Sequence, residues 1–170
     1  MYPVDSVSQS VRPVHYMKKI IPFFLAVVML LSLAACSDKP DTSDNIKGDL
    51  SDIMSTILDG VETAGSPAQV PVDDETFSYY FFIDPIEGAE YCVSESQINA
   101  IAHSVCLLRL PEDADAAQIA ADSEENADPG KWSCVEAEKT IVKQKGSLIL
   151  LVMSFEDTAD AIAANFDALQ

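Results

Sequence analysis

Few side chains in this sequence can do covalent or metal chemistry. They are four cysteines, Cys36, Cys92, Cys106 and Cys134, and two histidines, His15 and His103. A thiolate is a nucleophile and a soft metal ligand, and a neutral imidazole is a general base and a metal ligand, so these six residues bound the options. No Cys-x-x-Cys occurs, and a zinc site would have to gather His103 with scattered cysteines, a poor match to known ligand spacings. A Cys/His nucleophile pair is formally open for His103 with Cys92, Cys106 or Cys134. A histidine on a strand face among apolar neighbours, however, reads first as a core residue. Neither Gly-x-Ser-x-Gly, a Gly-rich phosphate loop nor His-Glu-x-x-His is present, and the whole chain holds six glycines. The expectation is a protein that is not an enzyme, with no catalytic, cofactor-binding or metal site to assign.

Cys36 has a different context. Lys18 and Lys19 precede an apolar run, residues 20–33, which leads into Leu33-Ala34-Ala35-Cys36. A basic start, an apolar middle and small residues at the cut are the parts of a secretion signal. The run from 20 to 35 is 16 residues, shorter than the roughly 20 a membrane-spanning helix needs, and it contains Pro22. The Leu-Ala-Ala-Cys ending resembles the lipobox of bacterial lipoproteins. The resemblance implies cleavage before Cys36 and a diacylglyceryl group on its thiol, with palmitate as a typical acyl chain. Cys36 is thus the expected lipid attachment site. Residues 1–16 fit no part of this machinery and read as an over-long gene start ahead of Met17, or else as a long basic region containing Arg12.

Charge divides at the same residue. Of 28 acidic residues only Asp5 precedes Cys36, and of ten basic ones only Arg12, Lys18 and Lys19 do. Residues 36–170 therefore carry 27 acids against seven bases, a formal charge of about −20. Such a charge repels nucleic-acid phosphates and anionic lipid headgroups, so no nucleic-acid partner is expected. Solubility is its plain use; attraction of cations or of a basic partner is its sharper one.

The elements that would position any site follow from periodicity. Residues 36–45 are polar and read as a flexible tether. Ile46, Leu50, Ile53, Met54, Ile57 and Val61 recur at spacings of three and four, one face of an amphipathic helix that Asp44 and Asn45 would cap. Its apolar face must dock on a core or on a partner. Gly60, Gly65, Pro67 and Pro71 then mark a linker, so residues 46–72 form a helix and a connection. Residues 73–170 follow as an α+β domain. A short helix over residues 74–83 is ended by Asp84-Pro85. Strands are expected at 91–93 and 103–110, a weak helix at 113–125, strands at 137–144 and 147–154 around Lys145-Gly146, and a last helix that Ser154 and Asp157 would cap as a box. The run Leu148-Ile149-Leu150-Leu151-Val152-Met153 is apolar throughout and reads as a central strand covered on both sides. The economical assembly is an α+β fold, a small antiparallel sheet of about four strands with helices packed on one face.

From about Phe77 to Leu169 the residues also carry a family resemblance. Asp128-Pro129-Gly130-Lys131-Trp132-Ser133-Cys134-Val135-Glu136-Ala137-Glu138-Lys139, followed by Gly146-Ser147-Leu148-Ile149-Leu150-Leu151-Val152-Met153-Ser154, resembles the bacterial lipoproteins of the domain of unknown function 4358 family. Membership implies a small exported lipoprotein with one such domain. It implies no activity and no catalytic residue.

Once Cys36 is lipidated, three cysteines remain. The favoured reading is three free, buried thiols; a Cys92–Cys106 bridge across the expected hairpin, and a redox or metal role, are the alternatives. The acidic groups Asp73-Asp74-Glu75, Asp113 with Asp115, and Glu124-Glu125 with Asp128 follow no calcium-loop pattern and read as solvated faces and helix ends. The aromatic run Tyr79-Tyr80-Phe81-Phe82 reads as core ahead of a carbohydrate platform, and Trp132 as a core cover ahead of an exposed anchor. The functional expectation is an exported lipoprotein anchored at the extracytoplasmic face of the cell membrane, a non-enzymatic module that binds a protein or envelope component. A solute- or cation-binding lipoprotein is the second reading and a thiol-dependent enzyme the third.

Overall fold

Apolar residues at helical spacing build the first element, α1 (Leu50–Leu58), which buries Leu50, Ile53, Met54 and Ile57. In this computed structural model residues 45–170 are described. The expected signal segment, Cys36 and the tether up to residue 44 lie outside the described residues. The helix begins four residues later than the apolar repeat does, because Gly48 takes a φ of +116° that no helix accepts and Asp49 supplies the cap. Asp49 Oδ1 accepts the Ser51 N–H at 2.8 Å, so the expected capping by Asp44 and Asn45 is replaced by that of Asp49. Ile46 still packs into the same apolar cluster.

A short strand, β1 (Ala68–Val70), follows where the sequence suggested only a connection. Next comes α2 (Asp74–Phe81), opened by a reciprocal capping box between Asp73 and Thr76 and closed at Phe82, whose φ of +58° ends the helix before Asp84-Pro85 is reached. Ser123 Oγ donates to the Phe81 carbonyl at 2.8 Å and so satisfies part of that end. The chain continues through β2 (Glu90–Glu95), β3 (Ser104–Arg109), α3 (Ala116–Asn126), β4 (Lys139–Lys145), β5 (Leu148–Ser154) and α4 (Glu156–Asp167).

All five strands pair antiparallel in the order β1-β2-β3-β5-β4. The α+β class and the antiparallel sheet agree with the sequence reading, with five strands in place of about four. Helices cover both faces, however, where one face was expected. On one side Ile53, Ile57, Ile162 and Phe166 of α1 and α4 pack on Val105, Leu107, Leu148, Leu150 and Val152. On the other, Phe77, Phe81, Ala116 and Ala120 of α2 and α3 pack on Val93, Cys106, Leu108, Ile149, Leu151 and Met153. The cause lies in β3 and β5, which are apolar at successive positions. A sheet covered on one face would leave every second one of these residues in water, at about 1.5–3 kcal/mol each. β5 is indeed buried on both sides, although the middle place in the sheet belongs to β3.

Residues 46–72 are built into this same body. α1 fills the core, Asn165 Nδ2 donates to the Ile57 and Asp59 carbonyls at its C-terminal end, and β1 pairs with β2. A boundary at residue 73 would cut through the sheet. At the β4–β5 hairpin the two loop residues are Gly146 and Ser147, one place later than expected, with Gly146 at φ +58°. Ser154 does not cap α4. That helix begins after Phe155 without a side-chain cap, because the Ser154 hydroxyl is buried and committed elsewhere. Among the described residues no helix is long and apolar enough to cross a membrane.

Candidate functional site

The register defines two ends of the sheet. At one end stand Glu90, Arg109, Leu148 and Lys145; at the other stand Glu95, Ser104, Met153 and Thr140. The chain enters the body at the first end. Asn45 Oδ1 accepts the Ser147 N–H at 2.9 Å, and the Arg109 guanidinium donates to the carbonyls of Gly48 (2.7 Å) and Ile46 (3.4 Å) while pairing with Glu90 at 2.7 Å.

The second end carries the polar chemistry, on the face covered by α2 and α3. The sequence Asp128-Pro129-Gly130 makes a tight turn in which Asp128 Oδ1 accepts the Gly130 N–H at 2.9 Å and the Asp128 carbonyl accepts the Lys131 N–H at 3.1 Å. The next side chain, Lys131, is thereby sent over the ends of β2 and β3. Its ammonium lies 3.1 Å from Glu95 Oε1 and donates to Ser104 Oγ at 3.1 Å. Three rings surround it, with centroids 4.6 Å away for Tyr79, 4.7 Å for Tyr80 and 4.9 Å for Trp132. Only 2% of the lysine side chain is exposed. An ammonium so far from water is tolerable because a carboxylate, a hydroxyl and three negative ring faces replace its hydration shell.

The surrounding groups are tuned to that charge pair. Tyr80 donates its hydroxyl to Glu95 Oε2 at 3.1 Å, and burial together with the Glu95 charge pushes its pKa far above the usual phenol range. Tyr79 is raised for the same two reasons and stays partly exposed. The Cys106 thiol, 3.5 Å from Ser104 Oγ, is pushed up to about 11 by burial, against the opposing pull of Lys131. With all three shifted upward, Tyr79, Tyr80 and Cys106 keep their protons near neutral pH. What the arrangement can do is hold a cation.

The residues singled out from sequence fall elsewhere. His103 is buried on the opposite face of the sheet, where its Nδ1 lies 2.9 Å from Ser154 Oγ, and its Nε2 has no hydrogen-bond partner. Burial pushes its pKa below the ordinary 6.5, against a smaller upward pull from Glu95. The imidazole therefore bonds a hydroxyl and no thiol. Cys92 shares its sheet face but stands four residues along the ladder, roughly 13 Å away at strand spacing. Burial raises the Cys92 thiol as well. Cys92, Cys106 and Cys134 are all unbridged, but only Cys106 is fully buried; Cys92 is half-buried and Cys134 exposed.

One member of each acidic group has a structural duty. Asp73 and Asp115 cap α2 and α3, accepting the backbone N–H of Thr76 (2.9 Å) and Gln118 (3.1 Å), and Asp128 holds the turn before Lys131. Among the described residues no three His, Cys, Asp or Glu side chains are grouped to hold a metal ion. The aromatic run splits: Phe81 enters the core, while Tyr79 and Tyr80 turn to Lys131. Sequence reasoning passed over Lys131 and Glu95. The adjacency Lys131-Trp132 after a rigid turn was a faint signal, and only the fold brings it to Tyr79-Tyr80.

Three exposed large apolar side chains, Tyr79, Ile98 and Phe155, belong to this second end. Ile98 lies in the β2–β3 loop and Phe155 follows β5, beside a hollow of about 500 Å³ lined with Val61, Thr63, Asp157 and Thr158. The neighbouring 61–67 segment is pinned there, since Gly65 O accepts the Gln97 N–H at 3.1 Å and a Cβ at Gly65 would collide with Ser96 Oγ. Comparison with protein-family models, curated proteins and solved structures finds no match to this chain.

Proposed function

We propose that this chain is an exported, lipid-anchored binding module without enzymatic activity, held at the extracytoplasmic face of the cell membrane through Cys36 and engaging a protein or envelope component with the far end of its sheet. The observation that carries the reading is the opposition of the two ends. The chain that leads back to Cys36 enters beside Arg109 and Ser147, whereas the exposed Tyr79, Ile98 and Phe155 stand at the other end. The lipobox-like Leu33-Ala34-Ala35-Cys36, and the resemblance of residues 128–154 to the domain of unknown function 4358 lipoproteins, support the anchor. The commitment of His103 to Ser154, and the raised thiols of Cys92 and Cys106, speak against thiol catalysis.

Metabolic labelling with a palmitate analogue tests the anchor. The wild-type chain takes the label, and Cys36→Ala loses it while keeping the circular dichroism of the folded body. An unlabelled wild type, or a labelled Cys36→Ala, defeats the reading. A photo-crosslinker placed at Ile98 captures an envelope component that one placed at Lys145 does not; equal capture from both ends removes the polarity on which the reading rests.

A further inference from the structure

We infer that the enclosure formed by Tyr79, Tyr80, Trp132, Glu95 and Ser104 is a receptor for primary alkylammonium groups, which Lys131 occupies as a built-in competitor until a ligand displaces it. The inference deepens the binding-module reading by naming the ligand chemistry of its far end, and it depends on that reading for its biological sense.

The occupant itself defines the ligand. Three ring faces within 5 Å of the ammonium attract a cation of any kind. Ser104 Oγ, 3.1 Å from Nζ, takes an N–H from it, and Glu95 Oε1, also 3.1 Å away, supplies a full negative charge and an acceptor that no hydrogen bond yet uses. A primary ammonium donates to Ser104 Oγ while pairing its charge with Glu95 Oε1, whereas a quaternary one has no N–H to give the hydroxyl and cannot approach the carboxylate as closely. Tyr80 fixes the second Glu95 oxygen, so the carboxylate is already oriented. Preorganisation of this kind favours binding over mere charge neutralisation.

Residues 127–138 form neither helix nor strand; Lys131 ties the segment to β2 and β3, Glu138 Oε2 accepts the Glu156 N–H at 3.1 Å, and Trp132 packs beside the apolar cluster under α2 and α3. The turn at Asp128 to Gly130 and the Ala137 N–H to Pro129 carbonyl bond of 2.9 Å are internal to the segment. An alkylammonium can therefore exchange with the Lys131 side chain alone, while Trp132 and Glu138 keep the segment in place. The acidic chain, about −20 over residues 36–170, raises the concentration of cations around it. A lysine side chain presented by a basic partner has the required chemistry.

The experiment uses the full chain in detergent and n-butylammonium, which reproduces the end of a lysine side chain. Trp132 is the only tryptophan and reports on the enclosure by fluorescence. In Lys131→Ala, n-butylammonium gives a saturable change and raises the melting temperature, tetramethylammonium does so far less, and the wild type responds about tenfold more weakly because its own lysine competes. Adding Glu95→Gln weakens the response about tenfold again. A folded Lys131→Ala without a saturable response, or with equal responses to both ions, overturns the inference and leaves Lys131 as a structural latch. If Lys131→Ala does not fold, the wild type decides: its Trp132 indole N–H resonance shifts saturably with n-butylammonium and not with tetramethylammonium, and the absence of that shift overturns the inference. Lipid labelling at Cys36 is a separate readout, so a failed anchor and a failed receptor are told apart.

Discussion

Cys92 lies across from Leu107 and Cys106 across from Val93, one step out of register, so the two thiols project from opposite faces of one strand pair. Side chains alternate with a period of two, and no bridge can pass through the sheet between them. The expected outcome in non-reducing mass spectrometry is a peptide map without a Cys92–Cys106 link. In the native chain Cys134 reacts first with alkylating reagents, and Cys106, buried and with a pKa of about 11, reacts only on unfolding. Early loss of Cys106, or a linked peptide, would contradict the register.

His103 makes stability depend on pH. Its folded-state pKa is depressed below the ordinary 6.5 by burial, so the unfolded chain binds the proton more readily. Stability is therefore undiminished above about pH 6.5 and declines as pH falls from there toward the folded value. Melting temperatures recorded from neutral pH to about pH 5 should fall, and His103→Asn should flatten that part of the profile. An unchanged slope in the variant would assign the effect to other groups.

The sheet core sets the scale of stability. Leu150 is fully buried against α1 and α4, and Leu150→Ala should cost about 2–5 kcal/mol in urea unfolding. An equal deletion on the other face, Leu151→Ala, should cost a similar amount, because both faces are covered. A negligible loss at either position would mean that its helices do not pack as described.

Arg109 ties the entry of the chain to the sheet. Arg109→Ala should lower stability by about 1.5–3 kcal/mol, as expected for charge-assisted bonds lost to the Gly48 and Ile46 carbonyls. Hydrogen exchange should quicken in α1 before the strands. Uniform acceleration across the body would show that Arg109 does not hold this segment in particular.

Where the sequence was readable, one physical signal acted alone. The helical spacing of Leu50, Ile53 and Ile57, the unbroken apolar run of β5 and the glycine at Gly146 each dictate structure locally, and α1, β5 and the hairpin formed within a few residues of expectation, although α1 stops at Leu58 and leaves Val61 outside it. Two signals in competition were misread. Ser154 looks like a helix cap, but its buried hydroxyl meets His103, fifty-one residues away in sequence. β1 shows no alternation, and its existence rests on the pairing of Val70 with Val93. The continuous apolarity of β5 already required two covered faces, and a one-sided sheet was inconsistent with it. The lysine enclosure was the least legible feature, since Tyr79, Glu95, Ser104 and Lys131 come from four segments that only the tertiary fold assembles.

The outermost strands have one more consequence. β1 is three residues long, and β4 carries Lys139, Lys143 and Lys145 at alternate positions, each bound to acidic or carbonyl oxygens of the last helix or of the residues that follow it. A short margin on one side and a row of ammonium groups on the other deny an incoming strand the flat, apolar border it would need to add itself. Neither border of the sheet thus offers a second chain an easy template for strand pairing.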